Sequence, residues 1–98
     1  MNVVAMNGRA VDSPKDGATQ TGTTKCMFVI ETDGGELPLR FSCICFGVSA
    51  ERASQVKDGD EVFLTGRMAA SAFNRAMTVV VSNLEILTGG NDGSTKNS

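Results

Sequence analysis

From Arg40 to Gly47 the chain reads Arg-Phe-Ser-Cys-Ile-Cys-Phe-Gly, a run whose alternation gives one strand two different surfaces. Successive side chains of an extended strand leave opposite faces, so Phe41, Cys43 and Cys45 share one side and Arg40, Ser42, Ile44 and Phe46 the other. The first side suits a core. The second carries a guanidinium at one end and an aromatic ring at the other, both flat groups on which an unpaired base can stack. Phe73 is the other aromatic that reads as a contact residue: Ala72 and Asn74 flank it, with no alternating apolar neighbours to make it core. Arg40, Arg67, Arg75, Lys15 and Lys25 are candidate phosphate contacts. The chemistry these residues offer is recognition by stacking and charge.

Bond-making chemistry finds little support. The chain has no histidine, which removes the commonest general base, and it contains no G-x-S-x-G, phosphate-cradling glycine loop or paired-carboxylate pattern. A non-enzymatic protein without a cofactor is expected. Metal binding is not expected either: Cys43 and Cys45 are separated by one residue, and Cys26 is the sole further thiol. An odd cysteine count on strand-like segments fits buried reduced thiols, and with no signal peptide or membrane-crossing run this implies a cytoplasmic address.

The 98 residues, 41% hydrophobic and 20% charged, are enough for one small domain. Val3 to Val11 reads as a first strand with Gly8 in its middle, a position that commonly marks a bulge or a sharp bend. Asp12-Ser13-Pro14-Lys15-Asp16-Gly17 is expected to break it. A second strand spans about Thr23 to Thr32, Asp33-Gly34-Gly35 signals a tight hairpin, and Leu37 to Phe46 forms the third strand. The period then turns helical, with Ser49 as cap, Ala50, Ala53 and Val56 on one side, Glu51 in the first turn, Lys57 in the last, and Gly59 as the stop. Glu61 to Met68 and Met77 to Leu87 complete five strands. The order β-β-β-α-β-β predicts an all-β fold, a five-stranded Greek-key OB barrel with one short helix between strands three and four, over residues 1–88. Residues 89–98 have nothing to bury and read as a disordered tail.

With these elements in order, the sequence resembles the bacterial single-stranded DNA-binding protein family. The resemblance rests on Asn2-Val3-Val4 with Gly8, Asp12-Ser13-Pro14, Thr21-Gly22, Phe41 to Gly47 leading into Ala50-Glu51-Arg52-Ala53, and Asp58-Gly59-Asp60-Glu61-Val62 through Gly66-Arg67. Cys26-Met27-Phe28-Val29-Ile30-Glu31 is more similar to the primosomal replication protein N branch of that superfamily. The family likeness implies base stacking at Phe46 and Phe73, with Arg40 where relatives usually carry tryptophan. It implies single-stranded DNA as the ligand, in replication, recombination or repair, with replication or restart proteins as further partners. The family's long hairpin between strands two and three is expected to be cut down to the Asp33-Gly34-Gly35 turn. Its acidic, phenylalanine-ended tail has no counterpart in Lys96-Asn97-Ser98, so recruitment of enzymes by that route is not expected.

Charge separates this chain from a strongly basic nucleic-acid binder. The net charge is -2, yet Val62 to Leu84 holds Arg67 and Arg75 and no acid, while Glu51, Asp58, Asp60 and Glu61 cluster around the helix end. Such polarisation attracts phosphate to one face and predicts a shallower salt dependence than a basic relative would show. Among the remaining aromatics, Phe28 alternates with Cys26 and Ile30 as core, Phe41 reads as core or interface, and Phe63 is left open between core, subunit contact and groove. Met27, Val29, Val79 and Val81 exceed what one face per strand can hide, which predicts a homodimer or homotetramer. The alternatives to DNA binding in its own right are a restart accessory that binds both DNA and a primosome partner, and an OB-type protein-interaction subunit with no nucleic-acid role.

Overall fold

A computed structural model describes residues 1–70 and 77–88. Five strands and one helix follow one another as β1 (Val4–Ala18), β2 (Thr24–Thr32), β3 (Leu39–Phe46), α1 (Val48–Ala53), β4 (Glu61–Ala70) and β5 (Met77–Thr88). The strands close into a barrel in the order β1-β2-β3-β5-β4, antiparallel throughout except for the parallel pair β3 and β5. This is the five-stranded OB architecture that the order of elements predicts.

Alternation accounts for what fills the barrel. Cys26, Phe28 and Ile30 of β2, Cys43 and Cys45 of β3, Val62 and Leu64 of β4, and Val79, Val81 and Leu84 of β5 are buried together. The expectation that Val79 and Val81 are surplus surface is therefore corrected: they stand at 0% and 5% exposure, because β5 is paired on both sides and its inward positions have no route to solvent. The two other members of that predicted surplus do lie outward, Met27 exposed and Val29 half-buried. Phe28 is core, and Phe41 packs half-buried against it. Burial pushes the Cys43 and Cys45 thiols up to about 12. It raises Cys26 to about 11, with Asp16 adding to the effect.

Two glycines turn the sheet into a barrel. β1 pairs with β4 from Val4 to Arg9 and with β2 from Arg9 onward, so the strand changes partners just past Gly8. A Cβ on Gly8 would sit 2.6 Å from the Glu31 carbonyl oxygen, which closes that corner to any larger residue. Gly66 plays the same part in β4, beside the register shift at Thr65/Gly66, where a Cβ would fall on the Val80 carbonyl.

Local chemistry departs from the sequence reading at three places. The Asp12-to-Gly17 turn formers do not end β1, which runs through to Ala18 as one strand with an irregularity between Val11 and Lys15. Asp12 absorbs the kink at φ 72, a conformation Asp tolerates, its N–H donates to Asp58 Oδ1 at 3.0 Å, and Pro14 falls where a ladder donor is dispensable. The hairpin between β2 and β3 is wider than a two-residue turn: Thr32 pairs with Leu39, and residues 33–38 bridge them, Asp33 Oδ1 accepting from the Gly35 N–H at 2.9 Å. Strand three accordingly begins at Leu39, Pro38 lacking the N–H that a ladder position uses.

Helix α1 is shorter than predicted, and its first flanking residue is Gly47 at φ 62, with no side-chain cap. Ser49 is inside the helix and spends its hydroxyl on the Ser82 carbonyl at 3.1 Å, tying the helix to β5. Lys57 lies past its end, so the basic residue of the last turn is Arg52, which donates to the Leu84 carbonyl at 3.4 Å. Ala50, Ala53 and Val56 all join the buried core, as their spacing predicts, with α1 packed against β2, β3 and β5. Gly59 turns the chain at φ 94. The predicted tail, residues 89–98, lies outside the described residues.

Candidate nucleic-acid interface

The outward faces of β1, β2 and β3 carry most of the residues singled out from the sequence, and strand register determines which of them meet. Lys25 stands opposite Phe46, Met27 opposite Ile44, Val29 opposite Ser42, and Glu31 opposite Arg40. On the other side of β2, Lys15 pairs with Met27, Val11 with Val29 and Arg9 with Glu31. Residues directly across a ladder share a face, so these pairs are rows of neighbouring side chains.

Phe46 ends β3 as an exposed residue, at 40% exposure. The next residue, Gly47, donates its N–H to the Thr24 carbonyl at 2.9 Å, which holds the end of the strand against β2 and sets the ring beside Lys25. An exposed ring next to a cation is the combination that binds a base and its phosphate together. Lys15 is exposed one row away, and Arg67 is exposed on β4. None of Lys15, Lys25 and Arg67 has an ion-pair partner among the described residues.

Arg40 has a different environment. Its Nε donates to Glu31 Oε2 at 3.0 Å, and although the arginine side chain is 62% exposed, its charge is answered by that carboxylate. Arg9, which the sequence reading did not assign, lies opposite Glu31 on one side and Glu61 on the other. The row Glu61, Arg9, Glu31, Arg40 thus alternates in sign across four strands. Alternation within each strand identifies its outward residues, but which charges become neighbours depends on pairing between strands far apart in sequence.

Phe63 is exposed on β4, between Asn7 of β1 and Glu85 of β5. It borders a cleft of about 370 Å³ lined also by Val48, Ser49, Arg52 and Leu84. A smaller cleft, about 210 Å³, opens at the β1 irregularity between Asp12, Ser13, Lys15, Met27, Val29 and Ser42. There three residues of β1, 12–14, face the single position Phe28 of β2, so the two strands separate. The β4–β5 ladder reaches Ala70 opposite Met77. Phe73 and Arg75, both candidate contacts, lie between them and outside the described residues.

No family model and no curated protein matches this chain. Solved structures do. The SSB domain of a Synechococcus sp. protein superposes with a TM-score of 0.77 at 22% identity, covering 86% of this chain and 93% of that one. The wild-type single-stranded DNA binding protein from Thermus aquaticus gives a TM-score of 0.80 at 24% identity over 95% of this chain. A deletion mutant of that Thermus protein gives 0.80 at 23% identity over 89%. The match spans 43% of the wild-type Thermus chain, less than half its length. At such identity the likeness establishes the fold: this barrel is the one found in those domains.

Proposed function

We propose that the protein binds single-stranded DNA with little sequence preference, as a non-enzymatic component of replication, recombination or repair. The observation that carries the reading is the exposed Phe46 ring on the outer face of an OB barrel, beside a Lys25 that has no ion-pair partner among the described residues. That barrel is shared with domains described as single-stranded DNA binding, and the OB outer sheet is a surface on which unpaired bases stack. In this mechanism Phe46 stacks on one base, Phe73 on another, and Lys25, Lys15, Arg67 and Arg75 hold phosphates. Arg40, neutralised by Glu31, contributes less than the other cations. Exposed Val3, Phe63 and Leu87 support self-association as a homodimer or homotetramer.

The test is titration of a fluorescently labelled oligo-dT. Micromolar or tighter binding that weakens with salt is expected, with most of the affinity lost in a Phe46→Ala, Phe73→Ala double variant. Absence of binding at low salt would sink the reading in favour of a protein-interaction module. Unchanged binding in the double variant would move the site elsewhere on the barrel. The chain has no tryptophan or tyrosine, so the label belongs on the DNA.

A further inference from the structure

One row of the barrel's outer surface has a composition unlike its neighbours. Lys15 of β1 pairs with Met27 of β2, Met27 with Ile44 of β3, Ile44 with Val80 of β5, and Val80 with Arg67 of β4. All five strands contribute one residue each. The row runs cation, thioether, aliphatic, aliphatic, cation, with no acid in it. Met27 is 45% exposed, Ile44 and Val80 are half-buried, and both cations lie toward solvent. With neighbouring strands about 4.7–4.9 Å apart, four steps span roughly 19 Å of curved surface. Lys25 and Phe46 lie two positions along the strands, on the same face.

From this row we infer that Met27, set between Lys15 and Ile44 on the outer face, serves as a non-aromatic platform for a base of the bound single strand, with Lys15 and Arg67 taking phosphates at the two ends of the row. The inference rests on the single-strand reading above and extends it to residues with no aromatic ring. A thioether is polarisable and makes favourable contacts with aromatic rings, so a base laid over Met27 and Ile44 gains packing while covering apolar surface that is otherwise wet.

Charge argues for this occupant over a second copy of the chain. In a two-fold contact centred on the row, the surface meets itself, and a cationic end of one protomer faces a cationic end of its partner. Like charges brought together in that way oppose association, whereas an anionic strand neutralises both ends. The cleft beside Lys15 and Met27 adds room at that end of the row for part of a nucleotide.

The test is a methionine oxidation footprint on the unaltered protein. Hydrogen peroxide transfers one oxygen to the thioether, giving the sulfoxide and water, and mass spectrometry of peptides reads each methionine separately. Saturating oligo-dT is expected to slow oxidation of Met27 at least threefold and to leave the fully exposed Met1 unchanged. A Met27→Ala variant, checked for native circular dichroism, is expected to bind about three- to tenfold more weakly, and Met27→Leu to recover most of that loss. Bound DNA that leaves Met27 oxidation unchanged would overturn the inference while the single-strand reading stands. So would protection of Met27 by raised protein concentration alone, since a second copy would then be the occupant. No oligo-dT binding at low salt removes both the inference and the reading beneath it.

Discussion

The two ends of the same outer sheet carry cations in opposite situations. At one end Lys25 sits beside Phe46, with Lys15 one row away, and neither meets a carboxylate among the described residues. At the other end Arg9 and Arg40 are interleaved with Glu61 and Glu31, and Arg40 is held by Glu31 at 3.0 Å. The two ends have similar numbers of positive groups. What differs is the residue across the ladder, so counting basic residues misreads this surface. A chain of net charge -2 can present a cationic track if its acids are paired off elsewhere on the same sheet.

That contrast can be broken most severely at the ring. Phe46→Ala is expected to cost about 1–3 kcal/mol of oligonucleotide affinity, read by titration of labelled oligo-dT, because one stacking platform is lost. Arg40→Ala, at the neutralised end, is expected to change affinity less than about threefold, well under the roughly 1.4 kcal/mol that a tenfold effect represents. An equal loss in the two variants would show that the ends are equivalent and the pairing irrelevant.

A smaller effect comes from releasing the quiet end. Glu31→Gln removes the carboxylate that pairs with Arg40 and stands across the ladder from Arg9, so binding is expected to tighten at low salt. The slope of log affinity against log salt should steepen by about 0.7 for each further phosphate that the freed Arg40 guanidinium neutralises. Lys15→Gln or Arg67→Gln should flatten the slope by a similar amount. A salt series on each variant measures both signs. If Glu31→Gln leaves the slope unaltered, the neutralising role assigned to it is wrong.

The smallest effect on binding is expected from the inside of the barrel. Cys26, Cys43 and Cys45 have thiols raised from 9.0 to about 11, 12 and 12, chiefly by burial, so they stay protonated at neutral pH and should react slowly with Ellman's reagent until the protein unfolds. A raised folded-state value means that the stabilising contribution is complete below about pH 9. It is lost as pH rises toward 11–12, where an unfolded chain can ionise its thiols and the folded one resists. Denaturation midpoints measured at steps from neutral to strongly alkaline pH should therefore fall once the unfolded-chain value of 9.0 is passed. Replacing all three cysteines with Ala should reduce that alkaline fall while leaving the salt slope of DNA binding unchanged.

Backbone closure supplies a stability test of the scaffold that both ends share. Gly66→Val is expected to cost about 1–3 kcal/mol, measured by urea denaturation, since the added carbons meet the Val80 backbone rather than a movable side chain.

Period-two patterning makes much of this molecule legible from the residues alone. It correctly separates Cys26, Phe28 and Ile30 from Lys25, Met27 and Val29, and Cys43 and Cys45 from Ile44 and Phe46, because the alternation of side chains along a strand is a local property of the backbone. The switch to helical spacing at Ala50, Ala53 and Val56 is equally local, and so is the five-strand order that implies the barrel. Turn chemistry misleads where tertiary pairing overrides it. Asp12 to Gly17 look like a strand end, but pairing of Lys15 to Ala18 with Met27 to Thr24 continues β1 past the kink. For Val79 and Val81, the sequence alone determined strand membership, and barrel closure decided that both lie inside. The same division holds for the candidate interface. Residue type and alternation marked Phe46, Lys25 and Arg40 as outward groups, whereas inter-strand register put Lys25 beside the ring and Arg40 against Glu31. Register belongs to residues distant along the chain, and the energy that selects it comes from filling one shared core, so no local pattern contains it.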